Sequence, residues 1–189
     1  MKISKASFVK GVVSRDPVLA DSTPQVAFIG RSNVGKSSVI NALTNQKGLA
    51  KTSSFPGLTQ EINVFHINEN LYLIDLPGYG YARVSKEGQE RIFKLINWYL
   101  FESGYSQKKV VLIIDALVGP TDADLDMLEA LEQAGKDIVI VANKVDKIKN
   151  SELKKKFQKI EEVTGAHTII LFSAEKKIGL EALVDEILK

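Results

Sequence analysis

Residues Gly30 to Ser37 read G-R-S-N-V-G-K-S, two glycines framing a run that closes on a lysine and a hydroxyl. This fits the pattern G-x-x-x-x-G-K-[ST], whose chemistry is the cradling of phosphates. The glycines let the backbone turn tightly, so successive N–H groups point into one concavity that attracts anionic oxygens. Lys36 is placed to reach the β- and γ-phosphates and is a candidate catalytic group. The Ser37 hydroxyl is placed to ligate Mg²⁺. Gly30, Arg31, Ser32, Asn33, Val34, Gly35 and Ser38 complete the expected phosphate-binding run.

Three further turns extend this chemistry. Asp75-Leu76-Pro77-Gly78 offers a carboxylate to Mg²⁺ and, three residues on, a glycine amide for a γ-phosphate, so Gly78 joins the catalytic candidates. Asn143-Lys144-Val145-Asp146 offers a carboxylate that can accept from N1–H and the exocyclic amine of guanine. Adenine would leave it unpaired, enough for roughly 10⁴-fold discrimination. Asn143 would hold the loop and approach the base, and the Lys144 stem would cover the ring. At Ser173-Ala174-Glu175, small Ser173 and Ala174 let backbone amides approach guanine O6. In Pro56-Gly57-Leu58-Thr59-Gln60, Gly57 is a phosphate-binding candidate. Thr59 would complete the Mg²⁺ shell and count among the catalytic residues.

Such turns must be held by a scaffold, and the chain alternates strands with helices. Strands are expected at Gln25–Ile29, Glu61–His66, Leu71–Asp75, Lys109–Asp115, Asp137–Asn143 and Thr168–Ser173. Helices are expected at Lys36–Thr44, Ser85–Glu102, Ala123–Gln133, Ser151–Thr164 and Leu180–Leu188. Strands apolar along their whole length, such as Val110 to Ile114, are covered on both faces. The expectation is an α/β P-loop domain with a mostly parallel six-stranded sheet and helices on both faces. Asn68-Glu69-Asn70 reads as a tight hairpin that makes one strand antiparallel. Residues 1–23 form an arm, with an added edge strand at Ser7–Val13, and residues 24–189 the domain proper. Residues 46–60 and 77–84 break the alternation where loops line a ligand crevice, and both are expected to move.

Composition excludes other classes. With 189 residues, 44% hydrophobic and 25% charged, the chain suits one globular domain. The absence of cysteine excludes disulfides, thiolate metal sites and cysteine nucleophiles. His66 and His167 read as ordinary residues in or beside strands. No apolar stretch is long enough to cross a bilayer and no signal-peptide pattern opens the chain, so a cytoplasmic protein is expected; nothing in the sequence suggests more than a monomer. A net charge of +2 does not by itself argue for nucleic acid.

With these motifs in order, the chain resembles the translation-factor-related GTPases, and more closely the EngB family. The marks are Gly30–Ser38 (GRSNVGKSS), Thr52–Gln60 (TSSFPGLTQ) and Asp75–Ala82 (DLPGYGYA). Members often follow the last with lysine, where this chain has Arg83 and keeps the charge. The resemblance implies a Ras-like domain binding GTP and GDP with Mg²⁺, and a GTPase that assists assembly of the large ribosomal subunit through rRNA or ribosomal proteins. Many small GTPases have a water-orienting glutamine after the D-x-x-G glycine. Tyr79 stands there, so slow intrinsic hydrolysis is expected. In related GTPases an asparagine at the place of Asn33 helps hold K⁺; the alternative is that Asn33 only shapes the loop.

Lysines cluster at Lys144, Lys147, Lys149, Lys154–Lys156 and Lys159, which reads as a solvated helix face or as phosphate contacts for a ribosomal partner. No RNA-binding module or base-stacking aromatic platform stands out beside the core, so any rRNA contact is expected to use the domain's surface, including the arm (Lys2, Lys5, Lys10) and the loop at residues 77–84. A P-loop kinase or metabolic NTPase is the alternative enzyme, against which Asn143–Asp146 argues. A membrane-remodelling GTPase would need a spanning segment, lipidation cysteine or amphipathic anchor, and none is evident.

Overall fold

The computed structural model describes residues 2–51, 61–80 and 85–189. Its centre is a seven-stranded sheet in the order β1-β3-β4-β2-β5-β6-β7. The strands are β1 (Ala6–Val12), β2 (Gln25–Gly30), β3 (Ile62–Ile67), β4 (Leu71–Asp75), β5 (Lys109–Asp115), β6 (Ile138–Asn143) and β7 (Thr168–Leu171). The helices among the described residues are α1 (Pro17–Ala20), α2 (Lys36–Thr44), α3 (Lys86–Asn97), α4 (Asp122–Gln133), α5 (Asn150–Thr164) and α6 (Leu180–Leu188).

Continuous apolar strands are explained by cores on both faces. Ala27 and Ile29 of β2 pack with Val110, Leu112 and Ile114 of β5 against residues of α3 and α4. Their alternates, Val26, Phe28, Val111 and Ile113, pack against α2 and α6. Side chains alternate across a strand, so each strand feeds both layers. The parallel pairs β2·β4, β2·β5, β5·β6 and β6·β7 bring the C-terminal ends of β2, β4, β5, β6 and β7 to one edge. Every motif turn among the described residues leaves from that edge.

Two features extend the expectation. The arm supplies a seventh strand: β1 pairs antiparallel with β3, its register slipping between Phe8 and Lys10. Since β3 also runs antiparallel to β4, β3 alone runs against the others. The hairpin at Asn68–Asn70 closes as expected, with Asn68 and Glu69 at positive φ.

The helix expected over Ser85–Glu102 is instead α3 continued by a wider π-helical turn, Trp98–Glu102, closed by Ser103 N donating to Trp98 O. An extra residue in the turn rotates the chain beyond it. It leaves Tyr99 fully buried, its hydroxyl donating to Gln25 Oε1 at 2.8 Å. Burial pushes the Tyr99 hydroxyl pKa up, keeping it a neutral donor.

Candidate functional site

The loop Arg31–Gly35 joins β2 to α2 at the carboxyl edge of the sheet. Gly35 caps α2 at φ 94°, and a Cβ there would collide with Asn143 Nδ2. Only glycine fits both the left-handed backbone and the close approach. Asn33 also takes positive φ (68°), which an asparagine tolerates. The free amides of the first turn of α2 therefore face the loop's concavity.

The D-x-x-G turn closes on this loop. Ser32 N donates to Tyr79 O at 2.9 Å, and a Cβ on Gly78 would lie 3.0 Å from Ser32 Oγ. Lys36 Nζ donates to Asp75 Oδ1, with side chains only 10% and 4% exposed. Ser32 Oγ is buried without a hydrogen-bond partner among the described residues. A polar ligand in the loop would satisfy it, because an unpaired buried polar atom is costly.

The N-K-x-D turn is fastened to the same loop. Asn143, 2% exposed, donates from Nδ2 to Val34 O at 2.9 Å. Its Oδ1 is the other buried atom without a partner among the described residues. Lys144 takes φ 69°, and its ammonium bonds Asn33 O and Asp115 Oδ2, both at 2.7 Å. Asp146 lies in the 3₁₀ turn Val145–Lys147 and accepts from Ser173 Oγ at 2.6 Å. The Ser173 hydroxyl bond, aided by Lys147, holds the Asp146 carboxyl below the usual range against its partial burial. Asp146 is therefore an anion at neutral pH. Ser173 is fully buried and accepts from Lys176 N, while Ala174 is half-buried beside it.

Thus Gly30–Ser38, Asp75, Gly78, Asn143, Lys144, Asp146, Ser173 and Ala174 gather at one edge. Gly57 and Thr59 lie outside the described residues, as do residues 52–60 and 81–84. Asp75 and Ser37 are oxygen donors beside the loop, a set that suits Mg²⁺, which takes one or two protein ligands and completes its shell with phosphates and water. The described residues hold no group of three or more candidate metal ligands from histidine, cysteine or carboxylates.

Two acids were not singled out by sequence. Asp115 ends β5 and steadies Lys144. Asp124, 1% exposed, accepts from Arg31 Nε at 3.0 Å, Tyr79 Oη at 2.8 Å, and Thr121 N and Oγ1 at 2.9 and 2.8 Å. The Tyr79 hydroxyl is thus committed to α4, and burial together with the Asp124 charge raises its pKa, so it stays protonated. The local signal for Asp124 is the T-x-x-D box that caps α4. Its bonds to Arg31 and Tyr79 have no local signature.

The lysine cluster does not form one free face. Lys144 turns inward, Lys147 pairs with Asp146 and Glu175, and Lys156 donates to Leu117 O. Lys154, Lys155 and Lys159 remain exposed.

Comparison with known proteins agrees with this geometry. Residues 25–144 match the family described as "50S ribosome-binding GTPase". The chain is 45% identical over 188 residues to the probable GTP-binding protein EngB of Clostridium perfringens strain 13, covering 98% of this chain and 95% of that protein. A crystal structure of a probable GTP-binding protein EngB superposes with TM-score 0.74 at 27% identity, covering 87% of this chain and 96% of that one. Era in complex with MgGDPNP and a segment of 16S ribosomal RNA superposes with TM-score 0.67 at 25% identity, covering 87% of this chain and 55% of that one. No described helix is long and apolar enough to cross a membrane.

Proposed function

Because the chain belongs to the EngB family of GTP-binding proteins, we propose that it binds and slowly hydrolyses GTP and works as a nucleotide-gated assembly factor for the large ribosomal subunit. One observation carries the nucleotide reading. The phosphate loop and the base-reading turn are locked together by Asn143 Nδ2 to Val34 O and Lys144 Nζ to Asn33 O. One ligand with a triphosphate at one end and a base at the other spans both.

In this reading Lys36 leaves Asp75 for the phosphates, an exchange that keeps the ammonium paired with anionic oxygen. Bound through Ser37, Asp75 and the proposed Thr59, Mg²⁺ would neutralise charge on the β- and γ-phosphates. Gly57, Thr59 and the Gly78 amide are assigned to the γ-phosphate. Asp146 accepts from the base, with Ser173 orienting the carboxylate. The Ser173-Ala174 backbone meets O6.

The slow rate is explained by Tyr79. Its hydroxyl is held by Asp124 and does not ionise, so it is unavailable to orient or deprotonate water. Asn33 is the residue we propose for K⁺. Its carbonyl serves Lys144, while its exposed side chain has no hydrogen bond among the described residues. Equal turnover in K⁺ and Na⁺ would remove that role.

The large-subunit reading is supported by the family description, and the Era complex, which holds 16S ribosomal RNA, supports only the coarser idea of a ribosomal RNA contact. GTP would hold the loops at residues 46–60 and 77–84 through the γ-phosphate, and hydrolysis would release them. The test is co-sedimentation with ribosomal subunits in GDP and in a non-hydrolysable GTP analogue. Enrichment with the large subunit in the analogue state is expected. Equal, negligible sedimentation in both states would refute the reading.

A further inference from the structure

We propose that a groove on the α3 side, running from Val13 past Trp98 to Tyr105, is a binding track for single-stranded RNA. The inference rests on the ribosomal reading above and supplies it with a surface. Three hollows adjoin along the track. The first, about 610 Å³, is lined by Val13, Arg15, Arg91, Lys94 and Trp98 among others. The second, about 520 Å³, shares Arg15 and reaches Tyr105. The third, about 480 Å³, shares Tyr105 and ends beside Lys108.

Two kinds of group alternate along it. Trp98 and Tyr105 are half-buried rings in edge contact, with centroids 5.9 Å apart. Arg15, Arg91, Lys94 and Lys108 are exposed, and none has a side-chain ion pair or hydrogen bond among the described residues. The acids that line the track are already engaged. Asp16 takes Lys10 Nζ and Val18 N, and Asp21 takes Thr23 N and the Tyr72 hydroxyl. No glutamate among the described residues lines any of the three hollows.

A cationic groove with rings in its wall is the design that holds single strands: cations track phosphates and bases stack on rings. Duplex RNA hides its base faces, and an acidic peptide would use the cations but not the rings. The sequence pointed to the lysines around α5 and to Lys2, Lys5 and Lys10 of the arm; the fold engages Lys144, Lys147, Lys156, Lys5 and Lys10 elsewhere, while Arg15 of the same arm joins the groove. The platform was invisible because Trp98 and Tyr105 meet only through the π-helical turn and the bend after it.

Trp98 is the chain's only tryptophan, so its fluorescence reports on the groove directly. Titrating the full-length protein with a single-stranded RNA of roughly ten nucleotides should quench that emission, and salt should reverse the quench. Anisotropy of labelled RNA should show about tenfold weaker binding for the triple variant Arg15→Ala, Arg91→Ala, Lys94→Ala. The slope of log affinity against log salt should flatten by about two. Trp98→Phe should retain most of the affinity and Trp98→Leu should lose roughly tenfold. GTP affinity should be unchanged throughout. An absent quench, wild-type RNA affinity in the triple variant, or equal binding of duplex RNA or polyglutamate would overturn the proposal. If the wild type and the triple variant sediment equally well with the large subunit, the groove fails and the ribosomal reading stands. If RNA quenches Trp98 but no sedimentation occurs in either nucleotide state, the ribosomal reading fails and the groove stands.

Discussion

Asp124 is nearly sealed from solvent yet accepts from the Arg31–Gly35 loop through Arg31, from the D-x-x-G turn through Tyr79, and from its own helix cap through Thr121. Asp124→Asn removes the charge that pairs Arg31 and turns one acceptor into a donor facing donors. We expect about 2–3 kcal/mol of destabilisation in urea and weaker nucleotide binding. Tyr79→Phe should cost less, about 1 kcal/mol, because Arg31 and Thr121 keep their partner. At Asp146, Asn should move preference from guanine toward xanthine, whose 2-carbonyl suits an amide donor, and competition binding with GTP and XTP reads the switch. The lowered pKa of Asp146 carries a sign. Its ionised form is favoured in the fold, so its stabilising contribution is complete above its ordinary value of 3.8 and fades as pH falls through the lowered one. Guanine affinity should therefore be flat from about pH 8 to about pH 5.5 as far as this residue decides it; a marked decline in that window, traced to Asp146 by mutation, would contradict the assignment. Motif residues were legible because their chemistry is written in short runs. Asp124 and Asp115 were not, because they act on partners supplied by other turns of the fold.

At the scale of elements, apolar strands and helix periodicity were readable because they express two-sided burial and a 3.6-residue repeat. Boundaries moved where tertiary bonds intervened. The π-helical turn is the clearest case: its ladder carries an extra residue, and Tyr99 is held by Gln25, the first residue of a strand far earlier in the chain. Gln25 in turn donates to Leu19 O, so the turn also anchors α1. Tyr99→Phe should lower stability by about 1–2 kcal/mol, since it strips a buried acceptor of its donor. Chemical denaturation checks this, and GTP affinity should not change, because the bond lies away from the carboxyl edge.

For the whole molecule, sheet order reflects the right-handed crossovers that parallel strands require. The arm's place did not emerge in the same way, since nothing local says which edge Ser7–Val13 would cover. Truncating residues 2–13 should uncover the edge of β3 and promote self-association, because an unpaired edge recruits another strand. Size-exclusion chromatography at rising concentration checks this; a strictly monomeric truncated chain would mean that β3 needs no cover. In the intact chain that duty falls to β1, itself blunted by Lys10 and by its slipped register.

The hydrogen bonds from Ala6–Val12 to Ile62–Ile67 impose a timetable on biosynthesis. Made well before its partner, β1 lacks that neighbour until β3 has left the exit tunnel. Throughout that wait Ala6 and Val12, both buried in the finished fold, travel unsheltered on the nascent chain, a natural foothold for a chaperone.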